Sequence, residues 1–178
     1  FAADVRMHSL TWDMTSATAG SNWSFNRQIL NMYLMRDGSR YTDKANYDSQ
    51  LFKDEFTDRD YRLTQTVINP SYTRKDATGK ITPYSPHMNT GYTGYQPIKW
   101  LLDDVAYDAK ANGYNSIPIF RYAEVLLNEA EAKAELGEMD ETVWDKTIKL
   151  LRDRAGVKST VPATYDPYLA NYYKNQTT

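Results

Sequence analysis

IPIFRYAEVLLNEAEAKAELG, residues 117 to 137, is the stretch on which the reading of this chain turns. Ile119, Ala123, Leu126, Leu127, Ala130 and Ala134 fall at helical spacing on one face, and Arg121, Glu124, Asn128, Glu131 and Glu135 share another. That pattern predicts an amphipathic helix of about five turns. Pro118 suits a first turn, where its missing N–H has no intrahelical partner to lose. Gly137 suits the left-handed position just past the last turn.

A second helix is expected directly afterwards. Asp140 fits an N-cap, Glu141 places favourable charge in the first turn, and Trp144, Ile148, Leu151 and Ala155 make an apolar stripe. Arg152 and Arg154 occupy the last turn and Gly156 closes it. Two antiparallel helices joined by a short Gly-containing turn form a hairpin of tetratricopeptide-repeat length, and the alanines at 123, 130, 132 and 134 allow close approach of another helix. One such hairpin cannot bury both of its faces, so partner helices are expected outside this chain.

Upstream, Phe1, Ala3, Val5 and Met7 alternate with Ala2, Asp4, Arg6 and His8 and predict a strand. Residues 11–26 crowd Thr, Ser, Asn and Gly around Trp12 and Trp23 and predict a loop carrying two large aromatics. Asp37-Gly38 is a turn signal. A short helix is expected over 47–56, with Leu51, Phe52 and Phe56 as its apolar contacts. A strand is expected over 63–68, ended by Pro70. Residues 71–97 have no helical period and are too rich in tyrosine for simple disorder. Ile98, Trp100 and Leu102 suggest another short strand with Trp100 in the core. The tail after Gly156 is expected to be poorly ordered.

Composition narrows the function. Formal net charge is −2 in 178 residues, without the basic footprint of a nucleic-acid binder. Cysteine is absent, which removes disulfides, thiolate metal sites, cysteine nucleophiles and a lipid-bearing cysteine. No run of about 18 apolar residues is present to span a membrane. The N-terminus lacks an initiator Met and a signal-peptide pattern and reads as a chain entered part-way.

RYAEVLLNEAEA at 121–132 followed by LRDRAGV at 151–157 resembles the SusD/RagB family, the cell-surface lipoproteins of glycan-degrading Bacteroidota. NMYLMRDGSRY, FTDRDYRLTQTVINP and TGYQPIKWL extend the resemblance backwards, so that it covers residues from about 30 to 157. It implies a mostly α fold, with tetratricopeptide-like helical hairpins plus a loop-rich ligand-binding region with a few short strands. Residues 1–116 would be that region, 117–156 the hairpin and 157–178 an irregular tail, all within a fragment of one larger domain. It also implies glycan capture on the outer membrane, a lipid anchor on a segment absent from this chain, and docking on a SusC-like TonB-dependent transporter. Leu34 departs from the family, where Pro is frequent.

Sugar sites combine flat aromatic faces, which meet the C–H patch of a pyranose, with amides, carboxylates and Arg for its hydroxyls. Trp12 and Trp23, with Asn22, Asn26 and Arg27 nearby, suit that chemistry, and Tyr41, Tyr72, Tyr92 and Tyr95 are further candidates. Each Trp equally suits anchoring its loop. Trp144 lies on a helix stripe and is expected to be structural, as are Arg121 and Glu124, one helical turn apart. Asp54, Asp58 and Asp60 miss the EF-hand spacing and suggest a solvated acidic turn. His8 and His87 are far apart in sequence, no catalytic motif is present, and neither metal nor cofactor is expected. The expected function is non-enzymatic glycan binding. The rivals are peptide cargo on the same architecture, a protein-binding helical scaffold, and a hydrolase with two facing carboxyl groups.

Overall fold

Short, individually capped elements make up the first part of the chain. The structure, a computed structural model, describes residues 8–16, 23–88, 91–109 and 112–174. It divides into two units, Phe1–Arg121 with Ala155–Val157, and Tyr122–Arg154 with Lys158–Thr178. The strand expected over 1–7 lies outside the described residues. His8, next in line, exchanges two backbone hydrogen bonds of 2.9 Å with Gly113.

In the first unit, α1 (Leu10–Thr15) buries Thr11 and Met14. It is tied down by the Leu102 amide, which donates to Thr11 Oγ1 at 3.1 Å, and by Gln96 Nε2, which donates to the Met14 carbonyl at 2.6 Å. α2 (Arg27–Asn31) starts at Asn26, whose Oδ1 accepts from the Ile29 amide at 2.9 Å. α3 (Tyr61–Thr64) starts at Asp60, which accepts from the Arg62 amide at 2.8 Å. Both caps satisfy amides that the helix leaves open. β1 (Thr73–Lys75) and β2 (Ile81–Pro83) pair antiparallel with Arg74 opposite Thr82. Their turn is closed by Asp76 Oδ1, which takes the Thr78 and Lys80 amides at 2.9 and 3.0 Å.

Leu30, Leu63 and Val67 form an apolar cluster in this unit, with Phe25, Tyr33, Phe56 and Tyr95 packed around them, and Met14, Ile68 and Leu101 are buried as well. Two buried arginines add cross-links. Arg59 donates to the carbonyls of Glu55, Leu30 and Tyr33 at 2.9, 2.6 and 2.9 Å, and its guanidinium lies 3.8 Å from the Tyr41 ring centroid. Burial pulls that guanidinium down to about 10, against the raising influence of Tyr41, Glu55 and Asp60. Arg74 pairs with Asp108 at 2.6 and 3.1 Å and donates to the Leu102 and Asp104 carbonyls. Buried cations are tolerated when they are hydrogen-bonded in this way.

Several expected elements of this unit do not form. Instead of a helix over 47–56, Asn46 takes φ 59° and leads into a 3-10 turn at Tyr47–Ser49. Successive turns follow over 52–58. The carbonyls of Tyr47 and Asp48, which a helix would use itself, go to the Arg27 guanidinium at 2.9 and 2.7 Å. Leu63 and Val67 share a face as i and i+4 rather than i and i+2, since the Val67 amide bonds the Leu63 carbonyl at 3.1 Å. The expected strand is therefore a helical turn that ends in a bridge between Val67 and Pro97. The stretch 71–97, for which no regular element was expected, contains the β1–β2 hairpin. Ile98–Leu102 is a turn, with the Leu101 amide on the Ile98 carbonyl at 2.9 Å. Trp100 within it has φ 67° and is 37% exposed, not a core residue. Asp60 is fully buried and bound by both the amide and guanidinium of Arg62, so the acidic turn is not simply solvated.

The second unit carries the hairpin. α4 (Tyr122–Glu135) starts five residues later than the periodicity suggests, leaving Pro118 outside and Ile119 and Phe120 exposed. Leu126 and Ala130 are its buried positions. The Glu138 amide bonds the Lys133 carbonyl at 2.8 Å and the Gly137 amide the Ala134 carbonyl at 3.0 Å, while Gly137 takes φ 70°. This is a Schellman cap. α5 (Glu141–Lys146) starts at Asp140, which accepts from the Val143 amide at 2.8 Å. α6 (Ile148–Arg154) follows after a break at Thr147, whose hydroxyl bonds the Val143 carbonyl at 2.6 Å. Such back-bonding competes with the helix ladder. Trp144 is buried and its indole N–H donates to the Ser159 carbonyl at 2.9 Å, a structural role as expected. The tail, expected to lack order, forms α7 (Pro167–Lys174), with Pro167 at the first helical position after the capping Asp166. The fold is mostly α with one two-stranded sheet among the described residues, as the sequence implied.

Candidate functional site

Arg27 and Tyr95, two of the residues singled out in sequence, meet at one place in the first unit. They line an open cleft of about 470 Å³ together with Gln50, Phe52, Glu55, Pro86, Thr93 and Gly94. That volume lies in the range of small-molecule sites. Arg27 is brought there by the Asn26 cap, which fixes the start of α2. Glu55 is placed by the turns of 52–58, held from behind by Arg59 on its carbonyl.

Glu55 joins the cleft residues. Arg27 Nη2 lies 3.0 Å from its Oε1, and the Tyr95 hydroxyl donates to Oε1 and Oε2 at 3.1 and 2.9 Å. The Glu55 side chain is 8% exposed. Burial first, and then the hydrogen bond to Glu55, push the Tyr95 phenol up to about 12. Phe52 lies 6.3 Å from Tyr95, ring centre to ring centre, with planes 32° apart, and 5.2 Å from Phe56. The cleft thus has an aromatic floor over a neutralised polar layer.

Trp23 and Tyr92 stand on the two backbone segments beside it. The Phe25 amide bonds the Tyr95 carbonyl at 2.9 Å, Thr93 Oγ1 donates to the Phe25 carbonyl at 2.6 Å, and the Tyr92 amide donates to Ser24 Oγ at 2.9 Å. Trp23 is 42% exposed and Tyr92 78%. Asn26 serves as a helix cap. Asn22 lies outside the described residues.

Three other candidates are placed differently. Trp12 is half-buried in α1, not in a loop. Tyr41 is 2% exposed, pressed edge-on against Tyr47 and covered by Arg59, so its faces are already occupied. Tyr72 bonds Asp103 and stands edge-on to Tyr84. Sequence reading passed over the other six lining residues, Glu55 and Phe52 among them. Phe52 registered only as an apolar helix contact, and Glu55 sits in an acidic stretch with nothing to distinguish it. No group of three or more metal-binding side chains occurs among the described residues. No helix among them is long and apolar enough to cross a membrane.

Among the described residues one unit carries a helical hairpin and the other a loop-built cleft with aromatic lining. The chain belongs to the SusD family, whose profile matches residues 8–178. In fold it is similar to the crystal structure of a SusD-like protein from Bacteroides fragilis, with a TM-score of 0.63 at 18% sequence identity. The match covers 98% of this chain and 37% of that one, so the chain spans little over a third of that protein's length. No curated protein matches it.

Proposed function

We propose that this chain is part of a cell-surface protein that binds oligosaccharide or polysaccharide at the outer membrane and passes it to a SusC-like TonB-dependent transporter. Membership of the SusD family supports a nutrient-binding role, and the open cleft with its Phe52–Tyr95 floor carries the choice of glycan. A sugar ring presents a C–H face to such a floor and its hydroxyls to the polar groups around it. Tyr95 and Arg27 contact ligand in the cleft, and Trp23 and Tyr92 extend the aromatic surface beside it.

A peptide groove would offer free backbone partners along an extended edge. Here the backbone next to the cleft is already paired between 23–25 and 91–95. A purely protein-binding scaffold calls for Trp12 and Trp23 both to be buried, whereas Trp12 is half-buried and Trp23 is exposed. Glycoside hydrolysis uses two carboxyl groups facing across the site. The cleft lining contributes one, Glu55, and that one is engaged by Arg27 and Tyr95. A binding role without chemistry fits best.

Affinity electrophoresis of the full-length protein through polysaccharide gels tests this. Trp23→Ala and Tyr92→Ala alter exposed rings and are expected to fold normally while losing at least fivefold in retardation. A well-folded protein that no polysaccharide retards would reject the reading and turn attention to peptide cargo.

A further inference from the structure

We propose that the cleft selects uncharged saccharides and excludes acidic ones such as uronates and sulfated glycans. The inference rests on the glycan reading above and narrows it. Its basis is the charge balance of the lining: among the described residues Arg27 is the one basic group there and Glu55 the one acidic group. Arg27 is engaged through both Nη atoms and Glu55 through both carboxylate oxygens, while the buried Arg27 Nε has no hydrogen-bond partner.

Arg27 Nη1 donates to the Asp48 carbonyl at 2.7 Å, and Nη2 donates to the Tyr47 carbonyl at 2.9 Å and to Glu55 Oε1 at 3.0 Å. The bidentate face with which a guanidinium would grip a ligand carboxylate or sulfate is turned to the protein. A ligand anion would have to displace Glu55, whose own side chain is almost fully buried, or lie beside its negative charge with no second cation among the described lining residues to neutralise it. Either course leaves a desolvated charge unpaired, which a partly buried site penalises heavily.

An uncharged sugar meets no such obstacle. Phe52 and Tyr95 offer two apolar rings tilted 32° to one another. Glu55 Oε1 accepts from Arg27 and Tyr95 and Oε2 from Tyr95, which leaves one lone pair on Oε2 to accept from a hydroxyl. Thr93 spends its proton on the Phe25 carbonyl and one lone pair on the Tyr95 amide, which leaves a second lone pair as an acceptor at the cleft. The same neutral layer that holds the loops together therefore sets the ligand's charge class.

Glu55→Gln keeps the shape and an acceptor for Tyr95 but releases Arg27 from its counter-ion. The experiment runs full-length wild type, Glu55→Gln and Phe52→Ala through native gels containing amylopectin, xylan, mannan or dextran as uncharged probes. Alginate, polygalacturonate and chondroitin sulfate serve as acidic ones. Circular dichroism is used to admit only folded variants. The expected result is retardation of wild type by at least one uncharged probe and none by the acidic probes. Phe52→Ala should weaken that retardation at least fivefold, and Glu55→Gln should gain measurable retardation by an acidic probe.

Acidic probes that retard wild type, with the effect lost in Phe52→Ala, would overturn the charge selection while leaving glycan capture standing. Retardation untouched by both variants would place the ligand elsewhere and overturn the proposal. No retardation by any probe would remove the glycan reading itself.

Discussion

The two units are held together by different physics. In the hairpin, every cap is local: Asp140 reaches three residues, the Gly137 turn closes between residues five apart, and the buried Leu126 and Ala130 are one turn apart. The loop-built unit has local caps too, at Asn26 and Asp60, but its two buried arginines tie distant segments together. Arg59 joins carbonyls at positions 30, 33 and 55, and Arg74 joins 102, 104 and 108. Local ties leave a period in the sequence, whereas a cross-link between distant loops leaves only one arginine among many. Regular structure and a shaped ligand surface thus draw on different parts of the chain's chemistry.

Arg59→Met is the strongest way to break this comparison. It strands three carbonyls, at a cost of about 3 to 5 kcal/mol. Segment-resolved hydrogen exchange on the full-length protein should show lost protection over 30–34 and 55–67 and unchanged protection over 122–135. An equal loss in both would show that the distinction between the units has no energetic content.

Next in size is a contrast between two glycines that both close helices of the hairpin. A Cβ added at Gly156 would stand 2.3 Å from the Tyr61 ring, and the residue has φ 67°. Gly137 has φ 70° with nothing within 4 Å. Gly156→Ala should cost about 2 to 4 kcal/mol, combining backbone strain with overpacking, and Gly137→Ala about 1 kcal/mol from strain alone. Urea denaturation measures both. Equal costs would mean that Tyr61 moves aside freely.

Much of the hairpin was legible because its signals are compositional and short-range. Asp140, Gly137 and Gly156 all do what their identities suggest. The start of α4 was not legible, because Ile119 and Phe120 continue the apolar pattern without being buried. In the loop unit, Leu63 and Val67 fit a period of two or of four equally well, and only the backbone hydrogen bond between them decides. The cleft was half legible. Arg27 and Tyr95 were recognisable by chemistry, but Tyr41 was not distinguishable from them until Arg59 was seen to cover it, and Glu55 has no local signature at all.

The cleft's internal hydrogen bond gives a pH-dependent contrast. The Tyr95 phenol, raised by burial and by Glu55 to about 12, holds its proton more tightly in the folded protein than in the unfolded chain. Its contribution is therefore complete below pH 10 and is lost as the pH climbs from 10 through 12. The expected step is roughly 1 to 2 kcal/mol once solvent screening is allowed for. Chemical denaturation across pH 9 to 12 should show a shallower fall in Tyr95→Phe than in wild type. Parallel curves would mean that Tyr95 contributes none of it.

Trp100 gives the smallest effect and tests how far the loop unit departs from ordinary local preference. Its φ of 67° costs a bulky residue about 1 to 2 kcal/mol relative to a right-handed conformation. The carbonyl is held by Asn115 Nδ2 at 2.9 Å, a backbone tie that survives any side chain, and the Lys99 ammonium lies 5.1 Å from the indole. Trp100→Ala and Trp100→Gly lose the same indole contacts, so their difference isolates the backbone. At most positions the alanine variant would be the more stable, because glycine loses more freedom on folding. Here the order should invert, with the glycine variant above the alanine variant by about 1 kcal/mol in urea denaturation, since glycine alone takes a positive φ without penalty. If alanine proves the more stable, the turn relaxes when the indole is removed, and it is the Trp100 side chain that imposes the left-handed backbone.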